Sequence, residues 1–156
     1  MRSTRDAVII GAGPAGSTAA IILARAGWSV ALVEKESFPR RKVCGECVAA
    51  SNLPLLDALG IGGAFAAVAG PELRRVALMS GERTIEADLP PAAGAHRWGR
   101  ALGRETFDVL LLEQARAMGV EVQQPWSVQA IEGVPGDWHC RISATGADES
   151  SLLRSR

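Results

Sequence analysis

Asp6-Ala-Val-Ile-Ile10, then Gly11-Ala-Gly13-Pro-Ala-Gly16, then a helical run ending at Gly27, then Val30-Ala-Leu-Val-Glu34 open this chain. The order reads as strand, glycine turn, helix and second strand, with an acid at the second strand's end. An α/β fold that holds a dinucleotide follows from that order. Gly11 allows a tight turn out of the first strand. Gly13, lacking a Cβ, lets a pyrophosphate approach the backbone, and Gly16 lets the helix lie close to the sheet. The N–H groups and positive dipole end of that helix then face phosphate. Ala12, Pro14 and Ala15 complete the turn. Glu34, eighteen residues after Gly16, is placed to accept hydrogen bonds from an adenosine ribose, with Lys35 beside it. The spacing predicts a helix over 14–26 with Ala15, Ala19, Leu23 and Ala26 toward the sheet and Gly27 at its C-terminal cap.

Composition narrows the function. With 156 residues and 47% hydrophobic content, the chain can bury one modest core. Its formal net charge of zero gives no basic field for nucleic acid. The longest apolar stretch, 58–70, has about a dozen residues and is rich in glycine, whereas a bilayer span needs about twenty. No signal-peptide core precedes strand 6–10, so a cytoplasmic location without a transmembrane segment is expected. Three cysteines argue against a disulfide scaffold.

The charge of Glu34 disfavours a ribose 2′-phosphate, which leaves NAD and FAD. Gly11–Gly16 followed by Leu32-Val-Glu-Lys35 resembles the FAD-binding start of two-dinucleotide-binding-domain flavoproteins. Phe38-Pro-Arg-Arg-Lys-Val-Cys-Gly-Glu46 resembles the segment after the second strand in the geranylgeranyl-reductase and flavin-halogenase-like branch. Gly103-Arg104-Glu-Thr-Phe-Asp108 resembles the G-R-x-x-[LF]-D motif of aromatic-hydroxylase-type FAD monooxygenases. The resemblance implies a Rossmann-like FAD/NAD(P)-binding fold with FAD as cofactor. It also implies a small-molecule substrate and NAD(P)H or another electron donor. It places Arg104 near the ribityl and pyrophosphate region, where its planar donors suit phosphate. Lys42, Cys44 and Gly45 then line the flavin side, and the backbone at Val128 contacts adenine.

Cys44 and Cys47 also form a C-x-x-C, so a dithiol flavoenzyme is one alternative, although flavoprotein disulfide reductases space their pair more widely. Otherwise Cys47 is a small buried residue at a helix start. A metal site is not expected: Cys140 and His139 are adjacent and point to opposite faces of a strand. No catalytic residue is assigned. His96 and His139 read as polar surface or edge positions, and Trp98, Trp126 and Trp138 as packing residues.

The domain reading takes 1–156 as the N-terminal portion of one FAD-binding domain, with its C-terminal half absent. Its parts are a βαβ unit over 5–35, a flavin-side loop and helix over 38–60, a β-hairpin insertion over 73–89, and a helix, strand and β-meander over 104–145. Phe107, Leu110, Leu111, Ala115 and Met118 give a helix over about 104–118 its apolar face. Val120–Val122 reads as a third parallel strand, and 151–156 stops where the next sheet strand would begin. From that truncation follows weak or absent FAD retention by the isolated chain. A non-catalytic or degenerate dinucleotide-binding fragment is the second alternative.

Overall fold

The structure, a computed structural model, describes residues 4–44, 46–147 and 149–156. In chain order its elements are β1 (Ala7–Ile10), α1 (Pro14–Arg25), β2 (Val30–Val33), β3 (Cys47–Val48), α2 (Leu53–Leu59) and α3 (Gly62–Val68). There follow β4 (Arg75–Ser80), β5 (Arg83–Asp88), β6 (Arg100–Ala101), α4 (Arg104–Ala117), β7 (Glu121–Gln123), β8 (Trp126–Val134), β9 (Asp137–Ala144) and β10 (Ser150–Ser155). They fall into two compact units, 1–41 with 105–156 and 42–104.

In the first unit β1, β2 and β7 form a parallel sheet in the order β1-β2-β7. All four residues of β2 are buried, as a continuous apolar run in a central strand should be. Pro14 opens α1 at a position whose N–H a helix does not use, and Gly27, at φ +86°, closes it by donating to the Ala24 carbonyl. The buried face of α1 differs from the expected one: Ser17, Ala20 and Ile21 are buried, whereas Ala15 and Ala26 are exposed. The close approach of Gly16 to the turn sets this rotation. A Cβ there would stand 1.9 Å from the Gly11 carbonyl oxygen. The next residue, Ser17, then tucks under the turn, its hydroxyl donating to the Ala12 carbonyl at 2.9 Å.

The apolar stripe of α4 also needs correction. Phe107, Asp108, Leu111, Leu112 and Ala115 are buried, Leu110 is half-buried and Met118 is exposed. The helix stops at Ala117, and Gly119, at φ +83°, carries the turn into β7. Strands β8, β9 and β10 make a three-stranded antiparallel meander. It shares a core with the parallel sheet through Ala31, Val33, Cys140, Ile142 and Leu153, against which Val8, Trp126 and Val128 pack. The last segment is therefore a strand of the meander, which extends past the expected limit at 145. Alternation explains it: Leu153 turns into the core while Leu152 and Arg154 face outward. At its end β10 also meets the chain start, with Arg5 N–H donating to Arg154 C=O at 2.8 Å and Arg156 N–H to Arg5 C=O at 3.2 Å.

In the second unit α2 ends at Gly60, at φ +82°. Helix α3 follows, unmarked in the sequence because Gly62 and Gly63 lower its propensity. Arg100 closes it, donating to the carbonyls of Ala66, Ala69 and Gly70. Such a cation also suits the negative end of a helix. Strands β3 and β6 pair antiparallel, so Cys47 lies exposed on a strand rather than buried at a helix start. The β4–β5 hairpin forms at the expected place, exposed along both strands. His96 is not a bare surface residue: its Nε2 lies 2.6 Å from Asp57 Oδ2. The guanidinium carbons of Arg74 and Arg97 lie 4.3 and 5.0 Å from the centre of the Trp98 ring. Among the described residues no helix is long and apolar enough to cross a membrane.

Candidate cofactor-binding site

The turn after β1 is built around its glycines. Gly11, at φ +95°, takes a conformation that side chains disfavour, and donates its N–H to Val33 C=O at 2.7 Å. This bond ties the turn to the end of β2, where Glu34 follows. Gly13 caps α1 in an extended conformation (φ −69°) that any residue can adopt. The first helical bond runs from Ser17 N–H to Gly13 C=O, and the amides before it project from the positive end of the helix.

Glu34 is buried, and each of its carboxylate oxygens accepts one backbone hydrogen bond. Oε2 accepts from the Ala12 N–H at 2.9 Å and Oε1 from the Glu36 N–H at 3.0 Å. The backbone of Glu34 is fixed as well: its N–H donates to Gln123 C=O at 2.9 Å, and its C=O accepts from Trp126 N–H at 2.7 Å. The acid thus stands at the glycine turn, as the order of motifs requires. Charged hydrogen bonds of this kind are roughly twice as strong as neutral ones.

Gly11, Ala12, Gly13, Pro14, Ala15, Gly16 and Glu34 therefore come together in the first unit, with Lys35 exposed beside them. Val128 lies half-buried on β8, two residues beyond the strand's bond to Glu34. Lys42 and Cys44 are exposed members of the second unit, and Arg104 is half-buried at the first position of α4. Gly45 lies outside the described residues. Cys44, Cys47 and Cys140 are not disulfide-bonded, and burial pushes the Cys140 thiol up from its ordinary value. No cluster of three or more metal-ligating side chains occurs among the described residues.

One residue escaped the motif reading. Arg40 turns its guanidinium inward, 18% exposed, with Nη2 3.9 Å from Glu34 Oε2 and 3.8 Å from Asp108 Oδ2. The guanidinium carbon lies 4.9 Å from the centre of the Phe38 ring. Three consecutive bases, Arg40, Arg41 and Lys42, stand in this segment, and nothing in their order shows which one is buried.

Residues 4–156 match the family described as FAD binding domain. This chain belongs to that family. The FAD binding domain is 36% identical over 132 residues to a tryptophan 2-halogenase from Chondromyces crocatus, covering 83% of this chain and 24% of that protein. It is 33% identical over 117 residues to a menaquinone reductase from Mycobacterium tuberculosis, covering 75% of this chain and 28% of the relative. A flavoprotein/dehydrogenase from Cytophaga hutchinsonii superposes with a TM-score of 0.81 at 26% identity, over 96% of this chain and 37% of that one. The myxobacterial chondrochloren halogenase CndH shares the fold, with a TM-score of 0.83 at 22% identity over 98% of this chain and 36% of its own. The chain thus spans roughly a quarter of the length of these curated relatives.

FAD is the family's cofactor, and the residues present fit it. The helix meets the turn at a distance no side chain would allow at Gly16. The Glu34 carboxylate is held at that turn, and the buried Arg40 Nε has no acceptor among the described residues.

Proposed function

We propose that this FAD binding domain holds the adenosine and diphosphate of FAD for an oxidoreductase of the reductase or monooxygenase type. Gly11, Gly13 and Gly16 admit the diphosphate to the turn, with Ala12, Pro14 and Ala15 as its wall. Glu34 takes the ribose hydroxyls, and Lys35 and the Val128 backbone border the adenine side. Lys42, Cys44, Gly45 and Arg104 serve the flavin side. When bound, the isoalloxazine ring supplies hydride acceptance or oxygen activation, while the protein supplies binding and orientation. The whole protein would act on a small-molecule substrate in the cytoplasm, with NAD(P)H or another donor as reductant.

The observation that carries this reading is the bond from Ala12 N–H to the Glu34 carboxylate at 2.9 Å. It joins the phosphate turn and the ribose acid into one rigid piece, which lowers the ordering cost of binding. Titration of the protein with FAD, followed by flavin fluorescence, tests it with ADP as competitor. ADP should displace FAD, because turn and acid read only the nucleotide end. FAD binding that ADP leaves untouched would overturn the assignment.

A further inference from the structure

The resting geometry of Glu34 poses an electrostatic problem. Its carboxylate is 5% exposed, and that of Asp108 on α4 is 1% exposed. Two buried negative groups need a cation, since an unneutralised buried charge is costly. One Nη2 nitrogen of Arg40 stands within 4 Å of both. Arg41 of this loop and Glu105 of this helix pair with each other at 3.7 Å near solvent. On the β7 and β8 side, the backbone of Glu34 bonds to the backbones of Gln123 and Trp126.

We propose that Arg40 is the positioning residue of the nucleotide site, shared between Glu34 and Asp108. It neutralises both carboxylates and so holds Glu34 turned toward the Ala12 amide, where the ribose is gripped. Its buried Nε finds no acceptor among the described residues, so charge and the face of Phe38 set its place rather than a saturated hydrogen-bond shell. Asp108, the last residue of the Gly103–Asp108 motif, gains a role by this arrangement. It fixes from α4 the cation that serves the acid of β2. Without Arg40, two like charges would share the same buried ground, and the Glu34 carboxylate would lose its orientation.

This inference rests on the nucleotide-binding reading above. Its test compares wild type, Arg40→Met, Arg40→Lys and the double variant Arg40→Met with Asp108→Asn, each titrated with ADP and with FAD. Amide resonances of Ala12 and Glu36 are followed in parallel. Arg40→Met should weaken ADP binding by about tenfold or more and shift both resonances. Arg40→Lys, which keeps the charge, should recover most of the loss. Asp108→Asn, which removes the second negative group, should recover part of it in the Arg40→Met background. An Arg40→Met protein that is unfolded alone but folds and binds once Asp108→Asn is added supports the proposal equally. Wild-type affinity in Arg40→Met, or no recovery with Asp108→Asn, overturns it while leaving the FAD reading intact. If the double variant is unfolded too, Arg40 serves the fold at large and the proposal fails. Wild type that binds no ADP overturns both, whatever its hold on FAD.

Discussion

Glu34 accepts from two backbone amides at once, and a neutral replacement cannot do so with the same geometry. In Glu34→Gln one carboxylate oxygen becomes an NH2 donor, which must face either the Ala12 or the Glu36 N–H. Losing a charged hydrogen bond costs about 1.5–3 kcal/mol, so affinity for ADP should fall roughly 10- to 100-fold by titration. Gly16 offers a sharper steric test. A Cβ there would sit 1.9 Å from the Gly11 carbonyl oxygen, which belongs to backbone and cannot swing aside. Gly16→Ala should therefore displace α1, lower the thermal midpoint and weaken ADP binding together. A variant that melts and binds like wild type would show that the turn yields more easily than its geometry implies.

Helix α4 tests the packing of an element. Leu111 is fully buried and Met118 is 36% exposed, although both lie on the stripe read from the sequence. Leu111→Ala should cost about 2–5 kcal/mol in denaturant melts, and Met118→Ala no more than about 0.5 kcal/mol. Equal losses would restore the original stripe. The βαβ unit, α4, the hairpin and the β8–β9 pair were legible because each combines a clear period with a glycine stop. The rotation of α1 was not legible, since it depends on the contact of Gly16 with a carbonyl that no periodicity encodes. Helix α3 was hidden by its paired glycines. Strand β10 was hidden because a short alternating run means little until β9 is there to pair with it. Within the site, glycines and acid were legible as a motif, whereas Arg40 became visible only through burial beside two carboxylates from separate elements.

For the whole molecule, acid sensitivity has one nameable source at the start of the sheet. The Ser29 hydroxyl donates to Asp6 Oδ2 at 2.6 Å and the Ser29 N–H at 2.8 Å, and these bonds hold the Asp6 carboxyl below its ordinary value. A carboxyl depressed in the folded state stabilises it above the unfolded value near ~4, and that contribution disappears as pH falls toward the folded value. Asp6→Asn should accordingly flatten the acid limb of a plot of thermal midpoint against pH. Thiol labelling reports on the whole fold as well. Cys44 and Cys47 are exposed and should react promptly with an aromatic disulfide reagent, while buried Cys140 should wait for unfolding. The stitching of Arg5 to Arg154 and Arg156 carries a mechanical corollary. Those segments run side by side in the same direction, so handles fixed at residues 4 and 156 would drag them lengthwise past one another. Every cross-link between them would bear load at once instead of unzipping in turn, and rupture under tension should be abrupt.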